Sequence, residues 1–167
     1  ALSQLTQLVL PQMRQQGGGR IINLSSIAGR VATPFGAWYH ATKFAVEGLS
    51  DALRLELAPH GIQVVLIEPG GIKTDFGDLT ADELEAVSRG GAYEAETGRM
   101  AGLIRRLYHG GLLSSPEIVS RAIVNAVQSK LPRVRYLVGF GARPLFCLHR
   151  LLPARWYDRL IRWASLR

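Results

Sequence analysis

Tyr39 and Lys43 stand four residues apart in a stretch without proline, which places both side chains on one face of a helix. A free tyrosine titrates near pH ~10 and is a poor proton donor or acceptor at neutrality. An ammonium within ~4–6 Å favours the phenolate, so the pair reads as a general acid/base with its own tuning charge. Such pairs occur on many surface helices and carry little weight alone. The surroundings add to it. Ser26 follows the apolar run Arg20-Ile21-Ile22-Asn23-Leu24-Ser25, where parallel α/β proteins set their active-site groups, and precedes Tyr39 by 13 residues. Gly29, Pro34 and Gly36 lie between them and can fold Ser26 back over the phenol. Pro69-Gly70-Gly71-Ile72-Lys73-Thr74 also follows a strand end. Its glycines are expected to let backbone approach a ligand closely, and Thr74 supplies a hydroxyl.

These groups need a scaffold, and the hydrophobic pattern supplies one. Leu2, Leu5, Leu8 and Met13 recur at helical spacing over 2–13, and Gly17-Gly18-Gly19 stops that helix. Residues 20–25 and 62–67 read as buried strands, 26–38 as a loop, and 39–58 as a long helix closed by His60-Gly61. A capping box of Thr80 and Glu83 predicts a helix over 80–88, with a further helix over 99–108. Gly90-Gly91 and Gly110-Gly111 bracket this region as hinges. Ser115-Pro116-Glu117 opens a capped helix running to 129, and 134–138 is a third strand. Two short helices separated by Pro153 end the chain. Helices alternating with near-continuous apolar strands predict an α/β protein with a parallel sheet covered by helices. Three strands are few for that architecture and leave one edge of the first unpaired.

With 167 residues, 47% hydrophobic and 20% charged, the chain is a single ordinary globular domain, neither disordered nor collagen-like. Its net charge of +7 is unevenly placed. Residues 130–167 carry nine Lys/Arg against Asp158 alone, whereas 1–129 carry 11 basic and 12 acidic residues. In 155–163, Arg155, Arg159 and Arg162 share one face and Trp156, Leu160 and Trp163 another, as an interfacial helix requires. A weak membrane-surface contact through 142–167 is therefore one expectation; solvated arginines over a pocket or subunit contact is the other. No nucleic-acid motif accompanies the charge, and no nucleic-acid partner is expected. Cys147 has no cysteine to pair with, which suits a reducing, cytoplasmic setting. His60, His109 and His149 lack ligand spacing with one another or with Cys147, so no metal site is expected. His40 is expected to pack or face solvent, and Asn23 to satisfy backbone groups beside the strand end.

The stretch Gly19-Arg20-Ile21-Ile22-Asn23-Leu24-Ser25-Ser26-Ile27-Ala28-Gly29, then Pro34, then Tyr39-His40-Ala41-Thr42-Lys43, resembles the active-site segment of the short-chain dehydrogenases/reductases. Pro69-Gly70 with Thr74 is similar to that family's nicotinamide-side motif. The resemblance implies a partial doubly wound, Rossmann-like sheet with flanking helices and a helical C-terminal tail. It implies an NAD(P)-dependent oxidoreductase interconverting an alcohol and a ketone or aldehyde, a lipophilic one given the apolar tail. By the same resemblance Ser26, Tyr39 and Lys43 are catalytic. Ser26 would bond the substrate oxygen, Tyr39 would exchange a proton with it, and Lys43 would bind the nicotinamide ribose hydroxyls. Tyr39, Lys43, Pro69, Gly70, Ile72 and Thr74 would bind the cofactor, the Ile72 backbone and the Thr74 hydroxyl at its carboxamide end.

Residues 1–140 then correspond to the C-terminal part of the catalytic domain, 75–115 to a substrate-covering insert, and 141–167 to a basic helical tail. The family's Gly-rich phosphate loop and Asn-Asn-Ala-Gly stretch are absent from these residues. The resemblance thus sets Ala1 in the helix before the family's fifth strand. The 167 residues alone are expected to bind dinucleotide poorly and catalyse nothing. Members pair through the two helices flanking the Ser-bearing strand, so a homo-oligomer is expected. Two rivals stand beside this reading: an inactive homologue acting as a binding module, and a peripheral membrane protein whose main task is anchoring. Intact Ser26, Tyr39 and Lys43 speak against the first.

Overall fold

The computed structural model describes residues 1–166. Helix α1 (Leu2–Gln15) leads into strand β1 (Gly19–Leu24), helix α2 (Ala37–Leu57) and strand β2 (Ile62–Pro69). Helices α3 (Phe76–Ser88), α4 (Glu94–His109) and α5 (Glu117–Gln128) precede strand β3 (Arg135–Val138), and α6 (Ala142–Leu151) and α7 (Ala154–Leu166) follow it. The sheet order is β1-β2-β3, all parallel. Gly19 lies opposite Ile62 and Leu24 opposite Ile67; Leu66 lies opposite Arg135 and Pro69 opposite Val138.

The central strand explains the sequence pattern. Side chains alternate across β2, and both of its faces are covered. Ile62 and Val64 pack with Ile21 against Leu53 and Leu57 of α2 and Leu10 and Met13 of α1. Val65 and Ile67 face the other way, with Ile22, Tyr136 and Val138 against Val119, Ala122, Ile123 and Ala126 of α5. A strand enclosed on both sides has to be apolar nearly throughout. Residues 62–67 depart from that only at Gln63, whose Oε1 accepts from Arg20 Nε at 2.8 Å. The predicted α/β class with a parallel sheet is the observed one.

Several local expectations fail for identifiable reasons. Thr80 does not cap a helix: α3 begins at Phe76, and the Thr80 hydroxyl donates back to the Phe76 carbonyl at 2.6 Å. The start is set earlier, where the Phe76 amide donates to Thr74 Oγ1 at 3.4 Å. Helix α4 begins at Glu94, not 99, and the Thr97 hydroxyl bonds the Tyr93 carbonyl at 2.8 Å within its first turn. Helix α5 has no side-chain cap from Ser115, whose backbone carbonyl accepts from the Ile118 amide at 3.2 Å. Asn23 serves a side chain: its Nδ2 donates to Ser50 Oγ at 2.9 Å, a buried tie between β1 and α2. Among the described residues no helix is long and apolar enough to cross a membrane.

Candidate active site

The carboxyl ends of β1 and β2 build the site. The Ser25 amide still donates to the Ile67 carbonyl at 2.8 Å, so the chain is sheet-paired to the residue before Ser26. Ser26 then caps the 3-10 turn Ile27–Gly29, its Oγ accepting from the Ala28 amide at 3.1 Å. The same hydroxyl donates toward the Pro69 carbonyl at 3.4 Å, which sets Ser26 across both strand ends. His40 pins the loop that follows. It is buried, with Nδ1 2.9 Å from the Ala28 carbonyl and Nε2 accepting from the Thr33 amide at 3.0 Å. An acceptor Nε2 requires the proton on Nδ1, so the ring bridges 28 and 33 as a neutral latch. His40 therefore packs.

Tyr39 and Lys43 occupy the first two turns of α2 above these ends. Lys43 Nζ lies 5.8 Å from the Tyr39 ring centroid and donates to the carbonyl of Leu24, the last residue of β1, at 3.2 Å. Partial burial pushes the Lys43 pKa below the usual lysine range, and Glu47, one turn further along α2, opposes that. Tyr39 stays 38% exposed, its ring 5.6 Å from that of Phe76. Burial, and after it the Tyr39 phenol, pushes the Tyr108 hydroxyl of α4 above the usual tyrosine range. The structure thus gathers Ser26, Tyr39 and Lys43 at the same strand ends. Among the described contacts no hydrogen bond joins Tyr39 to Ser26 or Lys43.

The segment after β2 corrects one expectation. A Cβ on Gly70 would run into the Phe140 carbonyl and the Ala142 amide, and one on Gly71 into Leu113. These glycines admit the protein's own chain, not a ligand. The Gly70 and Gly71 amides are likewise spent, on the Val138 and Phe140 carbonyls at 2.8 Å each. Ile72 differs: neither its N–H nor its carbonyl bonds to any described residue, although its neighbour Lys73 donates to Ser114 at 2.9 Å. The Thr74 hydroxyl accepts from the Phe76 amide and keeps its own hydrogen. A free N–H, a free carbonyl and a hydroxyl within three residues match the donors and acceptors of a primary carboxamide. These residues fit the nicotinamide end of a dinucleotide.

Sequence reasoning missed a charged cluster beneath α2. Arg135 Nη2 lies 2.7 Å from Asp51 and 3.2 Å from Glu47, and its Nε 2.9 Å from Glu68. Arg30 adds a longer contact to Glu68 at 3.5 Å. Glu68 is fully buried, and neither of its oxygens meets hydrogen-bond geometry with the two guanidinium groups. Burial, then the neighbouring Glu47, pushes its pKa up to about 7. A signal existed: Tyr39, Lys43, Glu47 and Asp51 recur every four residues along one stripe of α2. Two further contacts brace the site. Phe35, left-handed at φ 62, sets its ring 6.0 Å from that of Tyr93 at the start of α4. From α7, the Tyr157 hydroxyl donates to the Ala32 carbonyl at 3.3 Å.

Polar side chains and free backbone groups thus collect at the carboxyl ends of a parallel α/β sheet, where such sheets bind their ligands. The short chain dehydrogenase family profile matches residues 1–84, and the chain belongs to that family. A probable short-chain type dehydrogenase/reductase, VdlC, of Helicobacter pylori is 38% identical over 99% of this chain and 60% of its own length. Retinol dehydrogenase 5 of Mus musculus is 32% identical over 93% of this chain and 52% of its own. Among solved structures, the closed form of a serine dehydrogenase complexed with NADP+ superposes with a TM-score of 0.64 at 26% identity, over 83% of this chain and 50% of that one. The chain thus spans about half to three-fifths of the length of the proteins it matches.

Proposed function

We propose that the protein is an NAD(P)-dependent oxidoreductase that interconverts a lipophilic alcohol and its ketone or aldehyde. The observation that carries this reading is the convergence of Ser26, Tyr39 and Lys43 on the ends of β1 and β2, with the unbonded backbone of Ile72 and the Thr74 hydroxyl in the segment that follows β2. A nicotinamide, when bound, supplies or accepts the hydride. The chain's own residues manage orientation and the proton. The Ile72 backbone and Thr74 hydroxyl fix the carboxamide. Lys43 spends one N–H on Leu24 and keeps two for ribose hydroxyls, while its charge steadies the phenolate of Tyr39. In reduction the Tyr39 O–H bond breaks as an O–H forms on the substrate oxygen; in oxidation the proton returns. Ser26 turns its single hydroxyl hydrogen from the Pro69 carbonyl to that oxygen and holds it near the phenol.

The lipophilic substrate is supported by the aromatic side chains Phe76 and Tyr108 around Tyr39, and by the retinol named in one relative. The α3–α4 hairpin that carries them is read as the substrate cover. Pairing with a second copy through α1 and α2 is supported by Leu5, Leu8, Phe44 and Leu55, all large and exposed on those helices. The test of the activity is a panel of aldehydes and ketones of rising chain length, assayed on the intact natural protein with NADH and NADPH by nicotinamide absorbance. Cofactor oxidation that strengthens with chain length is expected. Cofactor binding with no turnover on any carbonyl would favour the inactive binding module instead.

A further inference from the structure

Helix α7 has one face the site does not use. Tyr157 and Ser165 are buried and Ile161 half-buried, so this stripe, spaced by four, turns inward. At ~100° per residue the stripe of Arg155, Arg159 and Arg162 and that of Trp156, Leu160 and Trp163 adjoin each other on the outward half. The sequence pattern sets them on separate faces; in the fold they lie side by side, the Arg159 guanidinium 5.8 Å from the Trp156 ring. Trp156 is 62% exposed, and Leu151 just before the helix 80%. None of the three arginines has a carboxylate partner among the described residues. Beside them, a groove of about 410 Å³ between α4 and α7 is edged by Arg99 and Arg106.

We propose that α7 lies flat on an anionic phospholipid surface, with Arg155, Arg159 and Arg162 on lipid phosphates and Trp156 and Leu160 sunk among the headgroups. Charge complementarity selects this occupant. A second copy would bring the same unpaired arginines against themselves. Single-stranded nucleic acid would also meet arginine and tryptophan, but it has no use for the aliphatic Leu151 and Leu160. The inward side of the same helix bonds Ala32 in the Ser26 loop, so the membrane contact would set the active site at the bilayer surface.

Vesicle co-sedimentation of the natural protein tests this. Binding is expected to phosphatidylcholine vesicles holding roughly a third phosphatidylglycerol, and not to phosphatidylcholine alone. Each arginine near such a surface strengthens binding about fivefold, so R155Q/R159Q/R162Q is expected to weaken it on the order of 100-fold. W156A/L160A is expected to weaken it at least about tenfold at unchanged salt. In the unmodified protein, brominated acyl chains are expected to quench tryptophan emission. Failure to bind anionic vesicles, absence of that quenching, binding unchanged in W156A/L160A, or displacement from the vesicles by a single-stranded oligonucleotide overturns the proposal.

Discussion

The proposed role of Lys43 needs an ammonium in a place that disfavours charge. Burial draws its pKa down and Glu47 opposes the fall, so the two together set how far into alkali the ammonium persists. Glu47→Gln removes the opposing anion. Its alkaline activity limb is therefore expected to move to lower pH, read from a kcat–pH profile, with the acid limb unmoved. Glu68 gives the complementary prediction for stability. Between the ordinary glutamate value of 4.5 and about 7, the folded protein holds a proton the unfolded chain has released. Stability therefore falls as pH rises through that window and levels off above it. Urea midpoints at about pH 5 and about pH 8 are expected to differ in the natural protein and to converge in Glu68→Gln. At this scale the sequence was informative where chemistry depends on residue type. Ser26, Tyr39 and Lys43 announce themselves by kind and spacing. The Glu68–Arg135 pair does not, because it exists only through the β2–β3 register that sets Arg135 beside Leu66.

The elements divide by what specifies them. Strands β1 and β2 are enclosed by helices, and burial imposes an apolar run that any pattern search finds. Helix starts in the α3–α4 region obey local hydrogen bonds instead. Thr80 and Glu83 satisfy the capping pattern, yet the Thr74 hydroxyl takes the Phe76 amide first and the helix is under way four residues early. The hairpin itself is sealed by the close approach of Tyr108, whose ring fills the space a Cβ on Gly77 would need. Gly77→Ala is thus expected to destabilise by about 1–3 kcal/mol, seen as a lower urea midpoint. Because Tyr108 sits near Tyr39, the same variant is expected to raise KM for a long-chain carbonyl more than it lowers kcat.

For the whole molecule, the charge asymmetry read from the sequence becomes a spatial one. The basic tail folds as α6 and α7, one side braced on the Ser26 loop and the other turned outward. The unpaired edge of β1 was foreseen from the strand count, and among the described residues β1 pairs only with β2. Exposure on α1 and α2 was not foreseeable, since Leu5 and Leu8 have the same i, i+3 spacing as the half-buried Leu10 and Met13. Leu8 is 75% exposed and Leu55 68%. If these helices join two copies, Leu8→Glu with Leu55→Glu is expected to shift the protein to monomer by light scattering while far-UV circular dichroism is retained.

The central claim is that the Tyr39 phenol moves the proton, and Tyr39→Phe in the natural protein tests it most directly. NAD(P)H-dependent carbonyl reduction is predicted to fall about 10²–10⁴-fold, with cofactor affinity changed by less than about threefold. Turnover in Tyr39→Phe close to that of the natural protein would contradict the account.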